Sequence, residues 1–430
     1  MHIPDGYLSP ASAAVMYGAA LPFWSIAVQR ARRVLSDRTV PLLAIFAALS
    51  FAIMMFNIPV PGGTTAHGVG GTLIAIVLGP WAAVIGVSTA LILQALFFGD
   101  GGITAIGANC FNMAIVLPLV GYASYALVAG RSSIFSRRRI VAAAIGSYVG
   151  ITAAALLVGV ELGIQPVLWT ANGHAIYNPY GFKEAIPAML LAHAFGASFV
   201  EAAITALGVA YLQKSRPDLL SIRFGRGSRD APALEPAAAG VNLWAVGGIL
   251  AAIVLPLVLI AGLIKGGGQF SHLFGLDWSH VDWRDIGRLL LIVGVANVIV
   301  LPVAYLLSPR RLRKMVVALA AIALWTPVGL ITPGVAFGEY LPEQGFQTLP
   351  GVGYLPSGID SIGRIYHPLL PFYQLPWVSQ TAPVSQQALG YMVSGFIGIA
   401  LLMLAGTVLY ALVRRRLPPA DKEDDWRTAT

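Results

Sequence analysis

The sequence predicts an all-α protein that crosses a membrane about eleven times, because its apolar residues fall in runs near the roughly 20 residues that a spanning helix needs. Of the 430 residues, 57% are hydrophobic and 11% are charged, and the mean hydropathy is +0.76. Apolar side chains in this proportion exceed what one globular core can bury. Composition and run length therefore indicate the same class, a polytopic membrane protein.

Apolar runs divide the chain into two groups of predicted spans. A short third run meets the fourth at Gly79 and Pro80, which supply the only turn between them. The first group predicts a seven-helix domain over 1–215, and the second predicts four more helices. The runs of the first group cover 10–29, 41–57, 68–81, 82–98, 104–130, 140–163 and 185–213, and those of the second cover 242–264, 286–307, 315–331 and 387–413.

A polar segment that becomes rich in small residues separates the two groups. The composition of 216–240 is typical of a flexible linker, and we place a domain boundary there, on the cytoplasmic side. The C-terminal membrane region, 241–416, contains a long loop at 332–385 that is too irregular to span a bilayer. We expect this loop to lie outside and to cap a site that faces the exterior, and 417–430 to form a cytoplasmic tail.

Basic residues lie in five short clusters between the apolar runs, so we attribute the net charge of +8 to membrane topology rather than to nucleic-acid binding. With seven spans before Lys214 and four after it, every cluster falls on one side of the membrane. Lys and Arg in short loops mark the cytoplasm. We therefore expect a cell inner membrane protein with its N-terminus outside and its C-terminus inside. The clusters begin at Arg30, Arg131, Lys214, Arg310 and Arg414.

The residue types available restrict the chemistry to metal binding through nitrogen and oxygen. Cys110 is the only cysteine, which excludes an internal disulfide, a zinc knuckle and an iron–sulfur cluster held by this chain alone. The sequence contains no Gly-x-x-x-x-Gly-Lys-Ser/Thr loop, so any ATP hydrolysis must occur on another chain. An intramembrane metalloenzyme is disfavoured because no His-Glu-x-x-His motif occurs, and we do not expect an enzyme.

The first two residues are the most informative candidate for a metal site. Met1 to Gly6 shows no basic stretch ahead of a hydrophobic run, so we expect this N-terminus to be retained rather than removed as a signal. The Met1 amine, the His2 amide nitrogen and His2 Nδ1 can close two fused chelate rings around one metal. One in-plane position stays open, and four nitrogens in a plane suit Ni(II) or Cu(II).

We expect His67 to supply the fourth nitrogen ligand from the same side of the membrane. Proline and glycine at 59–63 let the backbone turn sharply just before it, as in segments that line a cavity. Taken alone, a histidine at a helix start is more often a capping or interfacial residue. Its location on the same side as the N-terminal Met-His favours the ligand interpretation.

Two ionisable residues in the seventh run are weaker candidates for a role in the metal pathway. His193 and Glu201 are eight residues apart and therefore share one face of a helix. Ionisable groups within a membrane are functional suspects. A structural hydrogen bond between helices is an equal alternative for both.

Four polar residues near the predicted site have mainly structural interpretations. Asp5 and Ser9 are candidates for a second layer around the metal or for the N-cap of the first helix. Asn109 is a weak candidate for the same layer and more typical of a group that satisfies neighbouring backbone. Asp100, which lies among glycines, is typical of a turn residue rather than a ligand.

Four stretches of the chain resemble the substrate-binding membrane component of energy-coupling factor transporters for cobalt and nickel. They are 1–9, 57–81, 95–113 and 184–193, all within the N-terminal half. The resemblance implies a seven-helix subunit that captures Ni2+ or Co2+ as its substrate at the outer face and has no permanently bound cofactor. It implies that Met1, His2 and His67 hold the ion, that a transmembrane coupling subunit and cytoplasmic ATPases are partners, and that the loaded subunit tilts to release its cargo.

From residue 315 onward the chain resembles the small two-helix N component that accompanies these subunits. The chain departs from the family pattern in two places. Ala66 precedes His67 where glycine is more usual, and 194–200 departs from the usual small, acidic pattern, which weakens a role for Glu201. A self-sufficient cation channel or secondary transporter is the alternative function. It is disfavoured because charges in the apolar runs are sparse and no inverted repeat is evident. The sequence does not choose between nickel and cobalt.

Overall fold

The computed structural model describes residues 1–31, 39–60, 64–220, 282–308, 313–331, 336–340, 347–379 and 382–413. Within these ranges, eight helices are long and apolar enough to cross a membrane, and Val40–Met54 is a shorter apolar helix. The prediction of an all-α polytopic membrane protein is confirmed. The span predicted at 242–264, most of the linker predicted at 216–240 and the tail predicted at 417–430 lie outside the described residues.

Helices account for most of the N-terminal half, and two short antiparallel hairpins interrupt them. In the second hairpin, Asn172 and Gly173 have φ angles of 52° and 80°, as a tight two-residue turn requires. The hairpins are β1 (Ile58–Val60) with β2 (Thr64–Ala66), and β3 (Thr170–Ala171) with β4 (His174–Ala175). The helices are α1 (Pro10–Ala31), α2 (Thr39–Met54), α3 (Gly71–Leu78), α4 (Pro80–Leu93), α5 (Ile106–Asn109), α6 (Leu117–Ala129), α7 (Arg137–Gly163), α8 (Gln165–Leu168), α9 (Phe182–Ala192), α10 (Ser198–Ser215) and α11 (Pro217–Leu220).

Wide π-helical turns lie within three of the membrane-spanning helices. They cover Gln94–Phe98 after α4, Cys110–Val116 between α5 and α6, and His193–Ala197 between α9 and α10. Turns of this kind are rare and are frequent at functional sites. The first extends α4 to the end of its span, and the other two each join their neighbouring helices into one continuous span.

The C-terminal region packs directly on the N-terminal helices. Helix α15 runs along α2, and its glycines permit close contact: side-chain atoms of Phe51 lie against Gly398, and the Ala44 Cβ lies against Gly406. The described helices of this region are α12 (Trp283–Leu307), α13 (Arg313–Trp325), α14 (Ser357–Ile362) and α15 (Val384–Val413). A 3-10 turn at Thr326–Ile331 extends α13, and another lies at Pro371–Tyr373.

The span predicted at 68–81 takes a different form in the structure. Helix α3 has eight residues, all of them buried, so it is about 12 Å long and too short for a hydrocarbon core of about 30 Å. Helices α2 and α4 run in the same direction, since Gly86 lies beside Leu43 and the Phe51 and Phe98 rings are 5.3 Å apart. The segment 55–79 therefore leads back to the side from which α2 starts. Its apolar composition reflects burial within protein.

The first eight residues fold into the interior instead of lying on the surface. Met1, Ile3 and Tyr7 are 3%, 1% and 0% exposed, whereas chain termini usually lie at the surface. Helix α1 begins just after them, where the Ser9 hydroxyl accepts a hydrogen bond from Ser12 N at 3.0 Å, the geometry of an N-cap. Proline at the first helical position fits the same start.

Candidate metal centre

The structure brings Met1, His2 and His67 together. The Met1 amine nitrogen lies 3.5 Å from His67 Nε2. The imidazole rings of His2 and His67 stack with their centroids 4.9 Å apart and an interplanar angle of 26°. All three residues are buried. One amine and two imidazoles therefore form a single nitrogen-rich cluster in the interior.

The backbone beside His67 fixes the tautomer of its ring. His67 Nδ1 lies 2.9 Å from the Gly68 carbonyl oxygen, which can only accept, so Nδ1 carries the proton and Nε2 has the lone pair. Burial lowers the pKa of His67, and the positive Met1 amine and His2 lower it further. A neutral imidazole whose free nitrogen faces the cluster is the form that binds a transition metal.

Asn109 clamps the backbone of the third residue. Its Oδ1 accepts from Ile3 N at 2.8 Å and its Nδ2 donates to Ile3 O at 3.1 Å. Gly102 N also donates to Ile3 O, at 2.9 Å. With Ile3 held on both sides, the positions of Met1 and His2 are restricted.

Asp5 binds the loop that follows α4. Its carboxylate accepts from Ile103 N at 3.0 Å, from Thr104 N at 2.8 Å and from Thr104 Oγ1 at 2.5 Å. Gly102 is required at this contact, because a Cβ there would lie 2.6 Å from Asp5 Oδ1. Asp5 therefore ties the N-terminal segment to this loop, and the structure places its oxygens on backbone and hydroxyl groups of the loop.

Glu201 caps α3 from a neighbouring helix. Its carboxylate accepts from Val69 N at 2.7 Å and from Gly70 N at 2.9 Å. An anion at a helix N-terminus satisfies donors that have no partner within the helix and complements the helix dipole. Glu201 thus supports the turn that follows His67.

His193 hydrogen-bonds within its own helix. Its Nδ1 lies 2.8 Å from the Met189 carbonyl oxygen. Its Nε2 is buried and has no hydrogen-bond partner among the residues that the structure describes. Neither His193 nor the cap residue Ser9 belongs to the stacked cluster of Met1, His2 and His67.

Asp100 reaches His2, a contact that its turn-like surroundings did not predict. Its Oδ1 lies 2.7 Å from His2 Nδ1, while Oδ2 accepts from Tyr373 OH at 2.5 Å and Gln94 Nε2 at 3.1 Å. Burial by itself would raise the pKa of Asp100, but the adjacent His2 and the hydrogen bond from Tyr373 hold it below its usual range. The only sequence signal was the flanking glycines. A Cβ at Gly101 would lie 2.8 Å from Asn109 Nδ2.

Glu339, in the long C-terminal loop, faces the N-terminus and had no sequence signal. Its Oε1 lies 3.8 Å from the Met1 amine nitrogen, and 23% of its side-chain surface is exposed. Burial raises the pKa of Glu339, and the Met1 amine opposes this shift without cancelling it.

A cavity of about 280 Å3 opens beside the cluster. One wall carries His2, His67 and Asp100, and the C-terminal loop supplies Glu339 and Tyr373. Since one water occupies about 30 Å3 of liquid, the cavity has room for a cation and several waters. Phe372 and Tyr373 in its wall have φ angles of 52° and 63°, a costly region for residues other than glycine.

Side chains alone do not complete a metal site in the described part of the chain. Within those ranges, no group of three or more His, Cys, Asp or Glu side chains is arranged to hold a metal. The N-terminal amine and the His2 amide are the backbone groups that lie at the cluster.

Comparison with known proteins extends these observations. A family described as the cobalt uptake substrate-specific transmembrane region matches residues 2–219. The fused nickel transport protein NikMN of Rhodobacter capsulatus is 51% identical over 419 residues, which is 96% of this chain and 98% of that protein. The probable fused nickel transport protein LarMN of Lactiplantibacillus plantarum is 49% identical over 220 residues, which is 50% of this chain and 66% of that protein. A crystal structure of a truncated transition metal transporter is 52% identical, covers 49% of this chain and 98% of its own, and has a TM-score of 0.46.

Proposed function

The chain belongs to the family of cobalt uptake substrate-specific transmembrane regions, and from this premise we propose that it captures Ni2+ or Co2+ for transport into the cell. The NikMN relative is named a fused nickel transport protein and the LarMN relative a probable one. The chain itself is a multi-pass membrane protein by its helices. Transport, rather than catalysis, is the function that these findings support.

The buried N-terminus is the observation that carries this proposal. A terminal amine and two imidazoles are costly to bury without partners, yet they lie together here. Two nitrogens bound to one ion at about 2.0 Å are roughly 2.8–4.0 Å apart, and the 3.5 Å between Met1 N and His67 Nε2 falls in that interval. In the proposed site the Met1 amine, the His2 amide nitrogen, His2 Nδ1 and His67 Nε2 surround the cation, and His2 Nδ1 exchanges Asp100 for the metal.

We propose that the site faces the exterior. Because α2 and α4 run in the same direction, the segment between them brings the chain back before α4 starts. The basic clusters at Arg30, Arg131 and Lys214 then share one side, which the positive-inside rule assigns to the cytoplasm. The N-terminus and the loop at 332–385 are on the other side, where the Asp100 and Glu339 carboxylates attract an incoming divalent cation.

Energy for release comes, in this proposal, from partner subunits. The 430-residue sequence contains no phosphate-binding loop, so ATP hydrolysis is assigned to cytoplasmic ATPases that act through a transmembrane coupling subunit. Helix α15 packs the C-terminal region against α2. In this proposal the C-terminal region acts as the accessory N component. Its long loop brings Glu339 and Tyr373 to the cavity beside the cluster.

Metal content of the purified chain tests the proposal. Cells that express it are grown with nickel, cobalt, copper and zinc together, and the purified protein is analysed for bound metal. We expect nickel or cobalt in the wild type and neither in His67→Ala, with both proteins inserted equally in the membrane. His174→Ala is the matched control, because His174 is an exposed hairpin residue whose ring packs on Tyr354.

Each outcome of this experiment has a distinct meaning. A wild-type chain without nickel or cobalt would contradict the proposed substrate. Equal metal content in the wild type and His67→Ala would remove His67 from the site while leaving the transport function open to another set of ligands.

A further inference from the structure

Glu339 occupies a distinctive position relative to the proposed chelate. Its carboxylate faces the Met1 amine at 3.8 Å, and Glu339 lines the same cavity as His2 and His67. The Met1 amine is one of the two backbone nitrogens that the proposed site assigns to the cation. An anionic oxygen therefore already lies beside the position at which positive charge would be bound.

The fold holds the Glu339 backbone in this position. Tyr7 OH donates to Tyr340 O at 2.8 Å and accepts from Tyr340 N at 3.0 Å. Glu339 N donates to Ala336 O at 3.0 Å. Tyr7 is fully buried and lies in the same N-terminal segment as His2. The metal-binding end of the chain thus fixes the loop segment that carries the carboxylate.

We propose that Glu339 is an oxygen ligand of the captured cation, bound out of the plane of the four nitrogens, and that it helps to set the preference between cobalt and nickel. This inference rests on the proposed function. Two ligands at right angles around one ion lie roughly 3 Å apart when each bond is about 2.0–2.2 Å. A shift of about 1 Å therefore converts the observed 3.8 Å separation into an axial position.

Binding of the cation also frees this carboxylate. When the Met1 amine becomes a ligand, its proton leaves to water, and Glu339 loses the ammonium group that it faces at 3.8 Å. The proton lost by the His2 amide leaves in the same way. The Met1 nitrogen is then bonded to the cation, which becomes the positive charge nearest to Glu339.

Asp100 is the other carboxylate at the cluster, and its surroundings differ. One of its oxygens contacts His2 Nδ1, and the other accepts from Tyr373 and Gln94. Cation binding takes His2 Nδ1 away from Asp100, but Tyr373 and Gln94 keep their protons and continue to hold the other Asp100 oxygen. Among the residues that the structure describes, Glu339 has no such side-chain donor, so it is the carboxylate that is freer to move to the cation.

An axial oxygen changes the preference of the site. Four nitrogens in a plane suit Ni(II) and Cu(II), whereas additional oxygen ligands favour ions that take higher coordination numbers. A cation bound to a deprotonated amide retains one net positive charge, which the carboxylate neutralises in a buried setting. Removal of the carboxylate should therefore penalise Co2+ more than Ni2+.

The test compares Glu339→Gln with the wild type in the purified full-length protein, titrated separately with Ni2+ and Co2+. We expect a loss of about tenfold or more in cobalt affinity, within the usual range for groups that support a metal site, and a smaller loss for nickel. The visible absorption bands of the bound Co2+ should also shift. Asp360→Asn is the control, since Asp360 is an acid of the same loop that pairs with Arg364 at 2.6 Å, and it should match the wild type.

A purely structural role for Glu339 would give a different result. Equal losses for both metals, or unchanged affinities, with unchanged absorption bands would overturn the inference. Glu339→Asp, which keeps the charge on a shorter side chain, should recover part of the cobalt affinity. If the wild type binds metal and His67→Ala does not, the proposed function stands whatever Glu339→Gln shows; a wild type that binds neither metal overturns both.

Discussion

Asn109 provides a quantitative test of how the N-terminus is held. Asn109→Ala removes two hydrogen bonds to Ile3, at 2.8 and 3.1 Å. At about 1 kcal/mol net for each bond, the docked N-terminus loses about 2 kcal/mol. Since 1.4 kcal/mol corresponds to a factor of ten in an equilibrium constant, metal affinity should fall roughly 30-fold. Gly102 N still donates to Ile3 O, so the unpaired Ile3 N–H accounts for most of the loss.

The assay is calorimetric titration of the purified full-length protein with Ni2+ or Co2+. Asn297→Ala is the matched control, because Asn297 lies on α12 and its Nδ2 donates to Val293 O of the same helix at 2.7 Å. That variant should bind metal like the wild type. The reasoning is refuted if Asn109→Ala stays within about twofold of the wild type, the size of a sub-kilocalorie change, or if both variants lose the same affinity.

Two further predictions concern pH and topology. Metal affinity should fall by up to about 100-fold per pH unit below neutrality, because the Met1 amine and the His2 amide each release a proton on binding. Since the pKa of His67 is lowered, protonation of His67 competes with the metal only at more acidic pH. An affinity that stays constant from about pH 7.5 to 5.5 would contradict this site. In intact cells, a cysteine at exposed Ser133 should resist membrane-impermeant thiol reagents, whereas one at exposed Ser361 should react. The only native cysteine, Cys110, is buried and should give little background labelling. Labelling at position 133 would contradict the proposed orientation.

Most of the fold was predictable because hydrophobic run length reflects bilayer thickness. The long helices α7 and α15 appear where the apolar runs predict them. The segment that contains α3 was not predictable in the same way. An apolar run indicates burial, but it does not distinguish burial in lipid from burial by protein on all sides, and α3 is buried by protein along its whole length.

Some residues of the candidate site could be predicted from the local sequence, whereas others depend on contacts between distant parts of the chain. Met1 and His2 could be selected because their chelating chemistry lies in adjacent residues, and His67 because glycine and proline precede it. Asp100 could be recognised only as a turn residue, since its contact with His2 depends on how the N-terminus docks. Glu339 lies in an irregular loop whose path is set by Tyr7 and Tyr340, and no local pattern specifies such a contact.

The most direct test of the account is the affinity of a chain with two residues added before Met1. The extension turns the terminal amine into a peptide nitrogen. It also displaces the N-terminal segment, because Met1 is buried and leaves no room for added residues. Tight Ni2+ or Co2+ binding should therefore be lost. A chain with the same two residues added after Thr430 should bind like the wild type. Tight binding by the N-terminally extended protein, with the extension verified as intact by mass spectrometry, would contradict a site built on the Met1 amine.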